Sequence, residues 1–456
     1  MSELPDNWQP TPLGDVVTLR TGPFGSALHK ADYVSEGVPL VNPSHIRNGL
    51  LVPDSDIGVS GSMAQSLTEF RLQTGDIVMG RRGEMGRCAV VPPESSGWLC
   101  GTGSVIVRPR SAVLSRYLWR FLSSPSTVEQ LNGDAVGSTM VNLNQGVLLG
   151  LNIPVPPLNE QTRIADKLDA VLARVDACRD RLDRIPGILK RFRQSVLAAA
   201  TAGKLTEDWR GGIPVNWPKV KLHDVGVIGR GKSKHRPRND PRLFDGRYPF
   251  IQTGDVANAT GIVRSHNQTY SDFGLAQSKL WPEGTLCITI AANIADTAVL
   301  AYPACFPDSV VGFVADASKC KIEYIKWTID VIKDELERMA PATAQKNINL
   351  AILSEVVFAL PPIEEQTEIV RRVESLFAFA DRLEACYAAA RAQVENLTPA
   401  TLAKAFRGEL VPQDPSDEPA SVLLERIRAK RVSGEAVNSK RGRQSPKAKK
   451  FEATPC

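Results

Sequence analysis

The chain is written twice, and no other feature limits its possible folds as much. Residues Ile153–Ile164 read IPVPPLNEQTRI and residues Phe358–Ile369 read FALPPIEEQTEI, an offset of 205. The offset persists at Asn142-Leu143-Asn144 against Asn347-Ile348-Asn349, at Asp176 against Asp381, and at Gly203-Lys204-Leu205 against Gly408-Glu409-Leu410. Upstream it becomes 209, pairing Trp8 with Trp217, Leu13–Val16 with Leu222–Val225, and Gly75 with Gly284. Ordered matches of this kind mark one architecture built twice. The two copies give the chain a pseudo-two-fold axis, along which two identical partners could bind equivalent surfaces.

Each copy has two parts of different character. In residues 1–155 short β-branched runs (Asp76–Met79, Cys88–Val91, Ser104–Val107) alternate with Gly/Pro punctuation around one helical stretch, Leu114–Leu122. Residues 209–360 repeat the scheme at Thr285–Ile290, Thr297–Ala301 and Ser309–Val314, followed by a helix over Glu323–Met339. Both read as small α+β domains. Residues 156–208 and 361–412 are helical, and 413–456 is a C-terminal segment with a short helix and a basic tail. In the helical parts Ile164, Leu168, Val171, Val175, Cys178, Leu182 and Ile185 alternate four and three apart. Ile369, Val373, Leu376, Ala380, Leu383, Tyr387 and Ala390 do the same, which is the spacing of a coiled-coil seam. Each helix follows its own domain, so a symmetric pairing of the seams is antiparallel. An amphipathic helix lying on its own domain is the plainer alternative. Pro186-Gly187 should break the first helix and Pro399 should bend the second.

Composition narrows the chemistry. Of 456 residues 43% are hydrophobic and 23% charged, the balance of a globular protein with two to four domains. Eight cysteines and five histidines are dispersed without a C-x-x-C pair, which excludes a zinc ribbon, a finger and a disulfide framework. The opening MSELPDNWQP is wrong for a signal peptide, and Leu286–Phe306 is interrupted by Asn293, Asp296 and Pro303. A cytoplasmic protein with reduced thiols and no membrane span is expected. Gly226–Ser233, GVIGRGKS, satisfies the P-loop pattern, but KHRPRNDPR follows it and cannot start the helix that such a loop needs. No methyltransferase, nuclease or nucleophile-elbow signature stands out, so no catalysis is expected here.

What remains is a binding design. The net charge of +5 is uneven: residues 426–456 hold ten Lys/Arg and two Asp/Glu, so the rest of the chain sums to −3. Residues 230–247 carry Arg230, Lys232, Lys234, Arg236, Arg238, Arg242 and Arg247 against Asp240 and Asp245. Flexible, Gly/Pro-rich and cationic, this stretch suits a phosphate backbone, with some arginines free for base edges. A solvated loop is its bland reading. The first copy offers a thinner set: Arg47-Asn48, Arg81-Arg82 and Arg87. Trp119 and Trp327 are expected in the core. The basic tail, with Lys440-Arg441-Gly442-Arg443 and Lys447–Lys450, is expected to be disordered.

Two dissimilar α+β domains, each followed by a near-identical helix opening with P-x-x-E-Q (Pro157–Gln161 and Pro362–Gln366), resemble the specificity (S) subunit of type I restriction-modification enzymes. RFRQSVLAAATAGKLT at Arg191–Thr206 and GELVPQDPSDEPASVLLERIRAKR at Gly408–Arg431 are similar to the ends of that family's two conserved regions. The likeness covers roughly residues 1–431; the tail from Val432 and the unequal prolines depart from it. It implies two target-recognition domains, 1–155 and 209–360, each reading one half of an asymmetric, split double-stranded DNA site. It also implies antiparallel helices that hold them apart and dock two methyltransferase (M) subunits, with a restriction and translocase (R) subunit joining. S-adenosylmethionine would belong to M and ATP with Mg to R; no cofactor and no metal is implied for this chain. The competing readings are a scaffold whose two domains bind proteins, and a nucleotide hydrolase built on GVIGRGKS.

Overall fold

The computed structural model describes residues 4–23, 27–81, 85–133, 143–291, 294–339 and 348–429. It divides into two compact units, one gathering residues 1–181 and 390–456, the other 182–389. Each unit therefore owns one α+β domain, the start of the helix that follows it, and a stretch of the other copy's helical region.

In the first unit a four-stranded antiparallel sheet runs in the order Val17–Thr21, Ser104–Pro109, Ile77–Gly80, Cys88–Val90. All four residues of Ile77–Gly80 are buried, because both faces of the sheet are covered. Ile77, Met79, Val105 and Val107 face a core closed by helix α1, Ser115–Leu122, through Tyr117, Leu118, Phe121 and Leu122. The alternate residues Val78, Ile106 and Ala89 join Val41, Ile46 and Leu72 in a second core. Val41 belongs to a smaller sheet of Leu99–Cys100, Val38–Val41, Gly58–Val59 and Tyr33–Val34. The period-2 alternation of a strand thus builds two cores from one ladder.

The second unit repeats the plan. Its larger sheet runs Gly226–Arg230, Val310–Ala315, Leu286–Thr289, Thr297–Leu300, Ile262–Val263, and its smaller one Gln268–Tyr270, Phe244–Phe250, Ala304–Cys305, Leu280–Trp281. Leu286, Ile288, Val311 and Phe313 face the helical core, while Cys287, Ala298 and Val310 face the other. Gly75 and Gly284, matched in the repeat, both turn with positive φ (87° and 77°) into the central strand, a conformation open to glycine at little cost.

The long helices are α2 (Leu158–Leu182), α3 (Ile185–Thr201) and α5 (Ile363–Phe406); α4 (Ile322–Val331) belongs to the second domain. Two expectations are corrected here. The helix expected over Glu323–Met339 is interrupted at Ile332 and resumes at Lys333–Met339. The break in the first long helix falls at Asp183-Arg184, just ahead of the proline. Pro186 then sits in the first turn of α3, where a missing N–H costs nothing. Pro399 lies within α5, which continues past it to Phe406.

The seam needs a third correction. Ile164 and Leu168, at the start of α2, share a core with Leu402 and Ala405, near the end of α5. Ile369 and Val373, at the start of α5, share a core with Val196 and Ala200 of α3. Each seam therefore opens by burying itself against its own domain and the far stretch of the other helical region. Burial fades along it: Val175 and Ala380 are buried, Val171, Leu182, Leu376 and Tyr387 are half-buried, and Cys178 and Leu383 are exposed. In the second unit the pairing is antiparallel. Arg193 of α3 bonds Asp381 and Glu384 at 2.8 Å, while Leu205 and Thr206, further along, meet Arg372 (2.9 Å) and Glu365 (2.7 Å), earlier in α5.

The repeated P-x-x-E-Q motif acquires a physical meaning at this junction. Gln161 accepts from the Leu114 N–H at 2.7 Å and donates to the carbonyls of Ala112 (2.8 Å) and Pro156 (3.0 Å). Gln366 does the same with Lys321 N–H (2.8 Å), Lys319 (3.0 Å) and Pro361 (2.8 Å). Tyr117 and Tyr324 complete each joint by donating to the carbonyls of Pro154 (2.7 Å) and Ala359 (2.8 Å). One buried amide on the first turn of each long helix thus fastens it to its domain.

Candidate nucleic-acid interface

The basic stretch of the second domain is tied to its surroundings by its own hydrogen bonds. Gly226–Arg230 is a strand, Lys232 and Lys234 donate their backbone N–H to Phe306 (3.1 Å) and Gln277 (3.1 Å), and no helix starts at Lys232-Ser233. The P-loop pattern is thereby a strand end. Arg230 reaches the Asp308 carbonyl, and one guanidinium nitrogen of Arg238 donates to both oxygens of the Asp308 carboxylate at 3.0 Å. Arg242 pairs with Asp240 at 2.8 Å, and Asp240 also meets His235 at 2.8 Å. Chiefly the Arg242 contact holds the Asp240 carboxyl well below the usual range. Arg236 donates to the carbonyls of Ser233 (2.7 Å) and His235 (2.8 Å). Arg230, Lys232, Lys234 and Arg236 are exposed and make no ion pair among the described residues, so these four keep a charge that no carboxylate offsets.

Beside that loop lies an open cleft of about 520 Å³. Ser233, Arg238 and Asn239 of the loop line it together with the aromatic rings of Phe244, Phe250 and Tyr270 and the polar side chains of Gln252, Thr253, Gln268 and Ser309. Phe250 and Tyr270 stack at 4.0 Å with planes 14° apart. The uncharged polar residues were not legible in the sequence because they lie far apart along the chain and carry no charge.

In the first domain Arg47, Asn48 and Arg87 line one cleft of about 960 Å³ with Trp119, Arg120 and Asp176. Arg47 bonds the Ser44 carbonyl at 3.2 Å, and Asn48 has a positive φ of 50° at the turn. Arg81 lies outside that group: it donates to the Leu143 carbonyl at 3.2 Å and anchors the return of the chain. Arg82 and the basic tail from Val432 fall outside the described residues. Trp119 donates to the Cys88 carbonyl at 3.0 Å, and the Arg120 guanidinium lies 4.0 Å above its ring. Trp327 is buried in the core, edge-on to Phe377. Burial pushes the Cys88 thiol up to about 12, the opposite of an activated nucleophile. Among the described residues no cluster of His, Cys, Asp and Glu could hold a metal, and no helix is long and apolar enough to cross a membrane.

The type I restriction modification DNA specificity domain matches this chain twice, over residues 5–186 and 214–387. The chain belongs to the specificity-subunit family of type I restriction-modification enzymes. The specificity subunit of the type I restriction enzyme EcoKI from Escherichia coli K12 is 30% identical over 94% of this chain and 97% of that one. The StySPI specificity subunit of Salmonella potsdam is 30% identical over 96% and 99%. Among solved structures, the HsdS subunit of Thermoanaerobacter tengcongensis shares the fold with a TM-score of 0.64, at 23% identity over 90% of this chain and 98% of that one. A chain from work on assembly and conformational transition of the type I R-M system gives 0.70, at 22% identity over 90% and 100%. As a specificity subunit the chain serves DNA recognition, not catalysis, and its mixed α+β domains in tandem are those of the family.

Proposed function

We propose that this specificity subunit reads an asymmetric, bipartite double-stranded DNA site, one half-site per domain, with a fixed spacer between. The observation carrying this reading is that one frame, fastened twice by the same glutamine joint, presents two different surfaces. A loop holding Lys232, Lys234 and Arg236 borders a polar cleft in the second domain; Arg47, Asn48 and Arg87 line a cleft beside Trp119 in the first. Cations facing solvent next to hydrogen-bonding side chains suit phosphate positioning combined with base readout. Two methyltransferase subunits dock on the repeated helical regions, a restriction subunit joins them, and the complex works in the cytoplasm. S-adenosylmethionine is bound by the methyltransferase subunits and ATP with Mg by the restriction subunit.

Mapping methylated adenines in the host, with and without this gene, tests the proposal. The expected result is a split motif of two unlike half-sites that vanishes when the gene is deleted. Identical methylation in both strains would contradict it.

A further inference from the structure

We propose that Gln252 and Gln268 form the base-reading pair of the second domain and recognise an adenine in its half-site. The inference rests on the proposed function and names the residues that discriminate. Both residues are exposed and line the cleft beside the cationic loop. The sheet brings them together: Gln268 pairs in register with Phe250, and Gln252 follows two residues later. The Gln252 amide donates to the Gln268 carbonyl at 2.5 Å, so each side chain holds the other. Asp255 fixes the backbone beneath them. It accepts from the Gln252 backbone N–H at 2.8 Å and, through its other oxygen, from the side chain of Asn267 at 2.9 Å, next to Gln268.

Two exposed amides bonded to each other through one N–H and one carbonyl leave the Gln252 carbonyl and the Gln268 N–H₂ unspent by that bond. That donor–acceptor set survives exchanging the O and N of both amides. It complements N6–H₂ and N7 of adenine in the major groove, the edge a glutamine amide reads bidentately. Preorganisation favours the pair further, since less side-chain freedom is lost on binding. Arg238, the guanine-reading type of residue in the same cleft, has its charge met within the protein, one guanidinium nitrogen donating to both Asp308 oxygens at 3.0 Å. In this proposal the amides read the base and the cations hold the backbone. In the first domain the corresponding N-cap after a small-sheet strand is Asn42, a shorter side chain ahead of Pro43–His45, so its half-site should differ.

The test is methylated-adenine mapping in host strains carrying the wild-type gene, a Gln252→Leu/Gln268→Leu variant, or Gln268→Glu. With the leucine variant the first half-site stays, while discrimination at one A·T position of the second falls roughly 5- to 150-fold, the worth of a bidentate contact. With Gln268→Glu, which loses the unspent donor and adds an acceptor, preference at that position moves toward cytosine, whose N4 amine donates. An unchanged second half-site in both variants overturns the inference. So does loss of methylation at every site by both variants when the purified proteins melt as wild type does, because that marks general binding and not discrimination. Failure of the wild-type gene to produce any split motif would fall on the proposed function instead.

Discussion

Glu160 and Glu365 hold the same place in the two copies and meet opposite surroundings. Glu365 is buried and satisfied: it accepts from Thr206 (2.7 Å), the Trp217 indole (2.9 Å) and the Arg210 guanidinium. Glu160 is fully buried, yet neither carboxylate oxygen has a hydrogen-bond partner among the described residues. The Trp8 indole and the Gln413 amide face it without closing a well-formed bond, and at the repeat offset the place of Arg210 is taken by Pro415. Burial pushes its carboxyl up, only partly opposed by those groups and by Arg163. A carboxyl raised in the folded state binds its proton more tightly there than in the unfolded chain. Stability then falls as pH rises from the ordinary glutamate range through the raised folded value. Glu160→Gln should raise stability at pH 7 and flatten that decline, whereas Glu365→Gln, which strips Arg210 of its partner, should cost about 3 kcal/mol. Urea unfolding at pH 5, 7 and 8 separates the two; a loss of stability at pH 7 in Glu160→Gln would contradict this picture. The cationic loop makes its own prediction. Lys234→Ala with Arg236→Ala should weaken DNA binding of the assembled complex and lower the salt slope by roughly 1 for each phosphate left without its cation. An unchanged slope would show that neither cation meets a phosphate. Charge in this loop was legible in the sequence, but its neutralisation was not. Asp308 is 70 positions from Arg238, and only the sheet brings them together. Gln252 and Gln268 stayed hidden for the same reason.

Among the elements, strands and the first-domain helix were legible because β-branched runs bounded by Gly and Pro bury two faces at once. Ile77–Gly80, Ser104–Pro109 and Val310–Ala315 fall within two residues of their expected bounds. The seam shows where such reasoning stops. A four-three stripe says which face of a helix is buried, not which surface covers it. Ile164 and Leu168 have Leu402 and Ala405 for company because Gln161 first fastens α2 to its own domain. The P-x-x-E-Q repeat was visible as a pattern, but the three hydrogen bonds each glutamine makes could not be read from spacing. Gln366→Ala deletes those bonds and leaves a buried N–H and two carbonyls unpaired, which should cost about 2–4 kcal/mol. Hydrogen exchange should then report earlier opening at Lys319–Lys321 and at the first turn of α5; exchange unchanged from wild type would show that the joint is not the fastening proposed.

For the whole molecule, duplication with divergence accounts for the design: the joints and sheets are kept while the exposed clefts differ. Gly203 and Gly408 illustrate what is kept, each with positive φ (72° and 78°) just past its long helix, where a Cβ would collide with Val215 or Pro5. If the helical regions set the distance between half-sites, four residues inserted in each long helix add about 6 Å, roughly two base pairs. Methylation mapping should then show a longer spacer between unchanged half-sites, and an unchanged spacer would reject the helices as a ruler. The central claim, that one chain mounts two unlike readers on a repeated frame, is tested most directly by making the readers alike. In a chain whose residues 209–360 are replaced by a second copy of 1–155, methylated-adenine mapping should return an inverted repeat of the first half-site. A motif that still contains the second half-site would contradict the account.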